Sequence, residues 1–320
     1  MGTIVVTGAA GFIGSHTSEA LLARGDRVIG IDNFDPFYDR GFKEANLRAV
    51  EASGGDRFSF HEMDLCACDA LARVLGGTQV DGVIHLAAKA GVRPSIEDPM
   101  GYVCANVDGT MSVLEASRLA GVKRVVLASS SSVYGNNEKV PFSETDPVDE
   151  PISPYASTKR CCELIAHTHH PLTGMPTACL RFFTVIGPRQ RPDLAVSLFL
   201  DRVSRGEPIR MFGDGSTSRD YTFVGDIVNG VLASYDRVDD HGYRIWNLGG
   251  SEPVSLREMI ATIGRVVGRE PVVTRAPMQA GDVQRTFADP ERAKTELGFE
   301  ATTPFEEGVR RQWSWMQAAE

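Results

Sequence analysis

The sequence predicts an α/β protein, a doubly wound parallel sheet with a smaller α/β lobe. Three observations carry that expectation. Short apolar runs alternate with segments of helical spacing through the first half of the chain, as in sheets built from crossover helices. The runs are continuously apolar, which suits strands buried on both faces. Past about residue 187 the alternation loosens, and the 320-residue length exceeds the about 250–300 residues at which single cores stop growing.

In chain order, Ile4-Val5-Val6 is a short strand, and residues 12–23 have helical spacing closed by Gly25-Asp26. Further strands are expected at 28–31, 58–60, 82–86, 124–128 and 178–181, with helices clearest at 103–119 and 157–168. Pro188-Arg189-Gln190-Arg191-Pro192 is a basic loop bounded by prolines. A helix over 224–238 and a strand over 245–248 return to the main sheet. Ser255-Leu256-Arg257-Glu258 is a capping box opening another helix, and 306–318 reads as a terminal helix. No internal repeat and no low-complexity segment interrupts the chain.

Composition narrows the function classes. The net charge is −9, with acids and bases interspersed, so the basic stripe of a nucleic-acid-binding protein is missing. No apolar run approaches the roughly 18 residues of a membrane span. Met1-Gly2-Thr3-Ile4-Val5-Val6 lacks the basic start of a signal peptide and leads straight into a strand. None of the six cysteines, Cys66, Cys68, Cys104, Cys161, Cys162 and Cys179, forms a C-x-x-C pair. They read as thiols, buried or half-buried, in a reducing cytoplasm, with a disulfide role as the alternative. His167-Thr168-His169-His170 lies before Pro171 and is expected to cap carbonyls at a helix end. No metal is expected there, because no cysteine or acid cluster joins it.

Gly8-Ala9-Ala10-Gly11-Phe12-Ile13-Gly14 follows a strand and opens a helix. Small residues let the backbone approach a pyrophosphate, and the helix N-terminus offers N–H donors and a positive dipole end. A tight strand-to-helix turn would also want glycine, so the context decides. Asp32 ends the next strand, where an acid accepts a hydrogen bond from the adenosine 2′-hydroxyl and disfavours a 2′-phosphate. The alternative for Asp32 is a turn or cap. This combination predicts a Rossmann-type domain that takes NAD rather than NADP.

Tyr155 and Lys159 are four apart, on one face of a helix. A phenol with an unperturbed pKa near ~10 is a poor base at neutral pH. A neighbouring ammonium and a positive nicotinamide favour the phenolate, which can then take a hydroxyl proton as hydride leaves carbon. Such pairs also arise by chance. Here, however, Ser129-Ser130-Ser131-Ser132-Val133-Tyr134 follows an apolar strand, at the carboxyl edge where α/β sheets bind ligands.

Together these residues resemble the extended short-chain dehydrogenase/reductase family. The resemblance adds Asp64-Leu65, His85-Leu86-Ala87-Ala88, Asn106, Arg181-Phe182-Phe183-Thr184, Gly213-Asp214-Gly215, Ser218-Arg219-Asp220-Tyr221 and Gly281-Asp282-Val283. It implies a nucleotide-sugar substrate and three catalytic residues, Tyr155, Lys159 and Ser130. It implies a cofactor site of Gly8, Ala10, Gly11, Phe12, Ile13, Gly14, Asp32, Asn33, Asp64, Leu65, Leu86, Ala87, Ala88 and Lys89, completed by Tyr155 and Lys159. Arg219 matches a diphosphate-binding arginine and Asp282 a residue near the nucleotide. Gln279 stands where the family usually has arginine, so the nucleotide-end contacts partly differ. The division implied is an NAD-binding domain over 1–187, joined by about 220–250, and a nucleotide-sugar-binding lobe of 188–219 and 251–320. The segments 103–119 and the Tyr155 helix commonly form a homodimer interface in this family; by sequence alone they read equally well as core.

Subclasses of the family share oxidation at C4 and part afterwards. Dehydratases carry an Asp-Glu pair at the positions of Ser131 and Ser132, and UDP-glucuronate decarboxylases a glutamate at the second; both are absent. Ala90-Gly91-Val92-Arg93, Thr184 and Gly187-Pro188-Arg189-Gln190-Arg191-Pro192-Asp193 look like UDP-glucuronate 4-epimerases. Such an enzyme interconverts UDP-glucuronate and UDP-galacturonate through a 4-keto intermediate. A substrate carboxylate wants a guanidinium and hydroxyl donors, and Arg191, Thr184, Ser131 and Ser132 supply them. For Arg93, structural or diphosphate roles stand level with a carboxylate role. The runner-up is a 4-epimerase of neutral UDP-hexoses; a lyase and a non-catalytic NAD-binding regulator stand outside that class.

Overall fold

The computed structural model describes residues 1–250, 252–277 and 283–319. The expectations for Gln279, Gly281 and Asp282 lie outside the described residues. The strands are β1 (Thr3–Thr7), β2 (Arg27–Asp32), β3 (Phe58–Glu62), β4 (Gly82–His85), β5 (Arg124–Ser130), β6 (Thr177–Phe182), β7 (Thr184–Ile186), β8 (Ile209–Phe212), β9 (Ser218–Phe223), β10 (Tyr243–Leu248), β11 (Pro253–Ser255) and β12 (Val273–Ala276). The helices are α1 (Phe12–Arg24), α2 (Arg40–Gly54), α3 (Cys68–Gly76), α4 (Val92–Glu97), α5 (Pro99–Tyr102), α6 (Gly109–Leu119), α7 (Pro154–Thr173), α8 (Ala195–Arg205), α9 (Val224–Arg237), α10 (Leu256–Val267), α11 (Glu291–Leu297) and α12 (Phe305–Ala319).

β1 shows why the main sheet is covered on both sides. Ile4 and Val6 point into one core, with Leu21, Leu22, Ile227, Val231 and Trp246. Val5 points into the other, with Leu71, Leu75, Val113, Leu114 and Cys179. Side chains of successive strand residues alternate between faces, so a wholly apolar strand demands helices above and below. Helices α1, α2, α9 and α11 cover one face, and α3, α6 and α7 the other. Seven strands pair in parallel in the order β10-β6-β5-β4-β1-β2-β3. The order reverses at β1, and the crevice beyond the carboxyl ends of β1 and β4 is where such sheets take ligands.

The smaller lobe is built from a three-stranded sheet, β11-β9-β7, and a two-stranded one, β12-β8. Its core gathers Ile186, Val196, Phe199, Leu200, Met211, Met259, Ile263 and Val309. The Ser255 hydroxyl accepts the Glu258 N–H at 3.1 Å, which starts α10 as the capping box predicts.

Two helices differ from expectation. The segment 103–119 is not one α-helix: Val103–Asp108 forms a π-helix between α5 and α6. That wider turn buries Asn106 while Val103 and Cys104 stay exposed. The Asn106 amide then bridges, donating to the Lys89 carbonyl and the Thr158 hydroxyl at 3.0 Å each and accepting the Lys89 N–H at 2.9 Å. Helix α7 also runs through Pro171 instead of ending before it, and stops at Gly174 in the left-handed conformation. Proline in the last turn forfeits only one ladder bond. Among the described residues no helix is long and apolar enough to cross a membrane, and no His/Cys/Asp/Glu group is disposed to hold a metal.

His85, at the end of β4, is fully buried between Thr7 Oγ1 at 2.7 Å and Thr110 Oγ1 at 3.2 Å. Burial first, then the Lys159 charge, pushes its pKa down to about 3. Unfolded, it would titrate near ~6.5. The imidazole is therefore neutral in the fold and gains a proton on unfolding, so it costs stability as pH falls below ~6.5, by up to ~1.4 kcal/mol per pH unit. Urea denaturation at pH 7 and pH 5 checks this. The drop in stability between the two should be smaller in His85→Gln than in the wild type; identical drops would remove His85 from the acid response.

Candidate active site

The cofactor edge starts at Gly8, whose φ of +70° is open to glycine at no cost. Gly14 is the close-approach residue: a Cβ there would lie 2.0 Å from the Gly8 carbonyl oxygen, so only glycine lets α1 dock on the turn. Helix α1 begins after Gly11 with no side-chain cap, leaving its first N–H groups for an anion. Asp32, at the end of β2, is buried and accepts the N–H groups of Phe34 at 2.9 Å and Ala10 at 3.2 Å. Burial raises its pKa, against the two N–H bonds and the Lys43 charge. The carboxylate thus does serve a turn, and it ties the glycine loop to β2 as well. Beyond it, the Asn33 amide donates to Asp64 at 3.0 Å, and Asp64 also accepts the Cys66 N–H at 2.8 Å. Lys89, after β4, pairs with Asp98 at 2.9 Å. These groups match NAD in kind: an uncapped helix start for the pyrophosphate, an acid at a strand end for a ribose.

The candidate chemical centre lies between the end of β5 and the start of α7. Lys159 is buried, and its Nζ donates to the Ala128 carbonyl of β5 at 2.8 Å. Ser130 ends β5, accepts the Ser132 N–H at 3.1 Å and donates to the Ser132 hydroxyl at 3.1 Å. Tyr155 lies in the first turn of α7, half-buried, with the Tyr102 ring edge-on at 6.1 Å between centroids. The Ser153 hydroxyl caps that turn by accepting the Ala156 N–H at 3.1 Å. Ser131 and Ser132 follow in a short 3₁₀ turn, both half-buried, and Thr184 opens β7 half-buried.

Arg191 reaches the same region from the proline-bounded loop. Its guanidinium grips Asp193 through two bonds, of 2.7 and 3.0 Å, and donates to the Ala90 carbonyl at 3.1 Å. It lies over the Phe37 ring at 4.6 Å. The loop is strapped to α1 by a bidentate Arg189–Glu19 pair, at 2.8 and 3.0 Å, and by His16 against the Pro188 carbonyl at 3.0 Å. Arg93, in α4, stands over the Phe212 ring of the smaller lobe at 5.0 Å. Arg219, on β9, donates to the Ser218 carbonyl at 2.8 Å.

Comparison with known proteins adds to this geometry. Residues 5–312 match the family model described as GDP-mannose 4,6 dehydratase. The chain is 40% identical to the UDP-glucuronate 4-epimerase of Thermodesulfobacterium geofontis, over 98% of this chain and 96% of that one. The chain belongs to the extended short-chain dehydrogenase/reductase family. Within the family, its fold superposes on the crystal structure of UDP-glucuronic acid 4-epimerase from Bacillus cereus in complex with UDP-glucuronic acid and NAD. The TM-score is 0.93 at 33% identity, covering 99% of this chain and 100% of that one. A UDP-glucose 4-epimerase from Thermotoga maritima, solved with UDP-glucose, is similar with a TM-score of 0.90 at 30% identity, over 99% of each chain.

The family motifs conceal a part of the site that sequence reasoning left out. Glu163, two turns below Tyr155 on α7, is fully buried. It accepts Arg181 through two bonds, of 2.8 and 2.9 Å, and the Ser129 hydroxyl at 2.6 Å. Arg181 donates onward to the Tyr134 hydroxyl at 2.9 Å, which donates to Asn247 at 2.7 Å. Burial opposes the Arg181 charge, but Glu163 and Tyr134 outweigh it and the guanidinium pKa stays raised. Arg181 therefore lies under α7 and the end of β5, and of the Arg181-Phe182-Phe183-Thr184 motif only Thr184 is half-buried. No sequence spacing marks Glu163; a charged residue on the apolar face of α7 is the one signal that could have found it.

Removing one partner of a buried pair strands the other, at a cost of about 3–5 kcal/mol. Glu163→Gln should lose about that much in urea denaturation, while Glu163→Leu combined with Arg181→Met recovers most of it. A single variant as stable as wild type would mean that the pair holds nothing.

Proposed function

We propose that the protein is an NAD-dependent UDP-glucuronate 4-epimerase, an isomerase that yields UDP-galacturonate through a 4-keto sugar. The observation that carries this reading is the position of Arg191. A guanidinium from a distant loop stands beside the Ala90 carbonyl and near Tyr102, the residue packed on Tyr155. The turn after β5 offers hydroxyls at Ser131 and Ser132 instead of the carboxylates a lyase needs. Relatives and solved structures named for this activity and holding NAD support it.

NAD would be held by the glycine turn of Gly8, Gly11 and Gly14 and by Asp32, and when bound would supply reversible hydride transfer at C4. Tyr155 takes the C4 hydroxyl proton as hydride leaves and gives it back to the new alkoxide. Lys159, four residues on along the same helix face, brings its ammonium alongside the Tyr155 phenol. Ser130 holds the C4 oxygen by a hydrogen bond. The intermediate is a β-keto acid, which loses CO₂ when the C5–C6 bond aligns with the carbonyl π system. Ser131, Ser132, Thr184 and Arg191 hold the carboxylate out of that alignment. Because Arg191 also has Asp193 as a partner, its grip on the sugar is exchangeable, which ring turnover requires. Arg219 and Asp282 are read toward the UDP side, and Arg93 stands level between a structural or diphosphate role and a carboxylate role.

In the finer reading, residues 1–187 with about 220–250 form the cofactor domain, and 188–219 with 251–320 the nucleotide-sugar lobe. Exposed Met100, Val103, Met111, Leu119, Leu164 and Leu172 on α5, α6, α7 and the π-helix support a homodimer through these helices. The six free thiols suit the cytoplasm. A second reading, a 4-epimerase of neutral UDP-hexoses, draws on the Asp193 carboxylate, which already neutralises Arg191.

Incubation with UDP-glucuronate, followed by NMR, should yield UDP-galacturonate with no loss of CO₂ by mass. Tyr155→Phe should nearly abolish turnover, beyond the roughly 10²–10⁴-fold typical of a general base, while UDP-sugar binding by calorimetry stays close to wild type. A variant keeping a tenth of the rate would take Tyr155 out of the mechanism. A charge-assisted hydrogen bond is worth about 1.5–3 kcal/mol, so Arg191→Ala should lower kcat/KM for UDP-glucuronate about tenfold to a hundredfold more than for UDP-glucose. It should also release some decarboxylated 4-keto sugar. Equal losses on both sugars would favour the neutral-hexose enzyme.

A further inference from the structure

Two cysteines outside the chemical centre meet at the rim of the cofactor site. Cys66 follows Asp64-Leu65 in the loop after β3, and Cys104 lies in the π-helix. Their sulfurs are 3.7 Å apart, both residues are exposed, and the Cys66 thiol donates to the Cys104 carbonyl at 3.4 Å. The other four cysteines are half-buried or buried. A disulfide needs an S–S distance of about 2.05 Å, so the pair must close by roughly 1.7 Å, within the reach of side-chain rotation.

We propose that Cys66 and Cys104 form a reversible disulfide site, which tethers the adenine-side loop of the cofactor cleft to the π-helix beneath the catalytic centre. Each end is connected to a described part of the site. The Cys66 N–H binds Asp64, which also accepts the Asn33 amide. Two residues after Cys104, Asn106 holds the Lys89 backbone and Thr158 on α7. Leu65 faces Gly109 at the start of α6, so the loop already rests on this element. A covalent bond here joins the lip over the adenosine to the floor of the site.

The oxidant is a small-molecule disulfide. The Cys104 thiolate attacks one of its sulfurs and expels one thiolate, leaving a mixed disulfide on Cys104. Cys66 loses its proton and attacks the Cys104 sulfur, expelling the second thiolate. Two protein thiols are oxidised, one disulfide is reduced to two thiols, and the two thiol protons pass to the products. Burial and the neighbouring Cys104 push the Cys66 thiol up to about 12. The Cys66 proton is engaged by the Cys104 carbonyl at 3.4 Å, which leaves the first attack to Cys104 and the resolving step to Cys66. Transient disulfides of this sort occur in reducing compartments as sensors.

The functional consequence rests on the reading of Asp64-Leu65 as cofactor contacts; formation of the bond does not. The test treats the full-length protein with hydroxyethyl disulfide and maps its peptides without reduction. A Cys66–Cys104 peptide lacking two hydrogens, within one chain, is expected, and dithiothreitol should reverse it. Cys66→Ser should stop at a mixed disulfide on Cys104, and Cys104→Ser should react slowly and form no bridge. No bridge, or a bridge only between chains on a non-reducing gel, overturns the proposal. Release of labelled NAD should be severalfold slower from the bridged protein than from the reduced one. Equal release rates from a bridged protein would overturn the tether's effect on the cleft, while epimerase activity of the reduced protein separately decides the proposed function.

Discussion

The Glu163–Arg181 pair fixes how the catalytic helix sits on the sheet. Taking two charges out of water costs several kcal/mol per ion, and geometry must offset it. Here the fork of Arg181 meets both oxygens of Glu163, and the remaining valences are filled by Ser129, Arg160 and Tyr134. The bonds connect α7 to β5 and β6, and through Tyr134 and Asn247 to β10. Ser129 immediately precedes Ser130, and Glu163 shares a helix with Tyr155 and Lys159. The three proposed catalytic residues therefore sit on segments that this one satisfied network joins. Such a network tolerates little displacement, because each partial loss leaves a buried charge or dipole unpaired.

Around the residues proposed for the sugar the design is the reverse. Ser131, Ser132 and Thr184 are half-buried hydroxyl residues, and Arg191 is held by a carboxylate three-dimensionally close yet partly open to water. A rigid, buried grip would suit a reaction with one substrate pose. Epimerisation through a ketone needs the sugar to present both faces, so contacts must be strong enough to orient and weak enough to exchange. The strap between Glu19 and Arg189 places the Arg191 loop against α1, so the helix after the glycine turn and the Arg191 loop share one support.

Much of this was legible in the residues. Gly8 and Gly14 are readable because a tight strand-to-helix turn demands glycine at short spacing, and Asp32 because an acid ending β2 can hold that turn. Tyr155 and Lys159 are readable because helical periodicity alone puts them on one face. Glu163 was not readable, since its meaning depends on Arg181 arriving from another strand. The π-helix was equally hidden: the apolar pattern over 103–119 is continuous, and the added residue per turn is imposed by what Asn106 must reach across the fold. Likewise α7 passes Pro171, because one missing bond near a helix end is too small a cost to overrule the packing of the preceding turns.

By itself, the sequence determined the alternation of buried strands and helices, the phosphate-ready turn, the tyrosine–lysine pair and the lack of carboxylates after Ser130. These follow from local spacing and residue chemistry, which need no knowledge of partners. Only the tertiary structure decided that Arg191 shares its charge with Asp193, that Arg181 lies under α7, and that Cys66 and Cys104 meet. Each depends on segments far apart in the chain being brought within a few ångströms, and hydrogen bonds and ion pairs act only at that range.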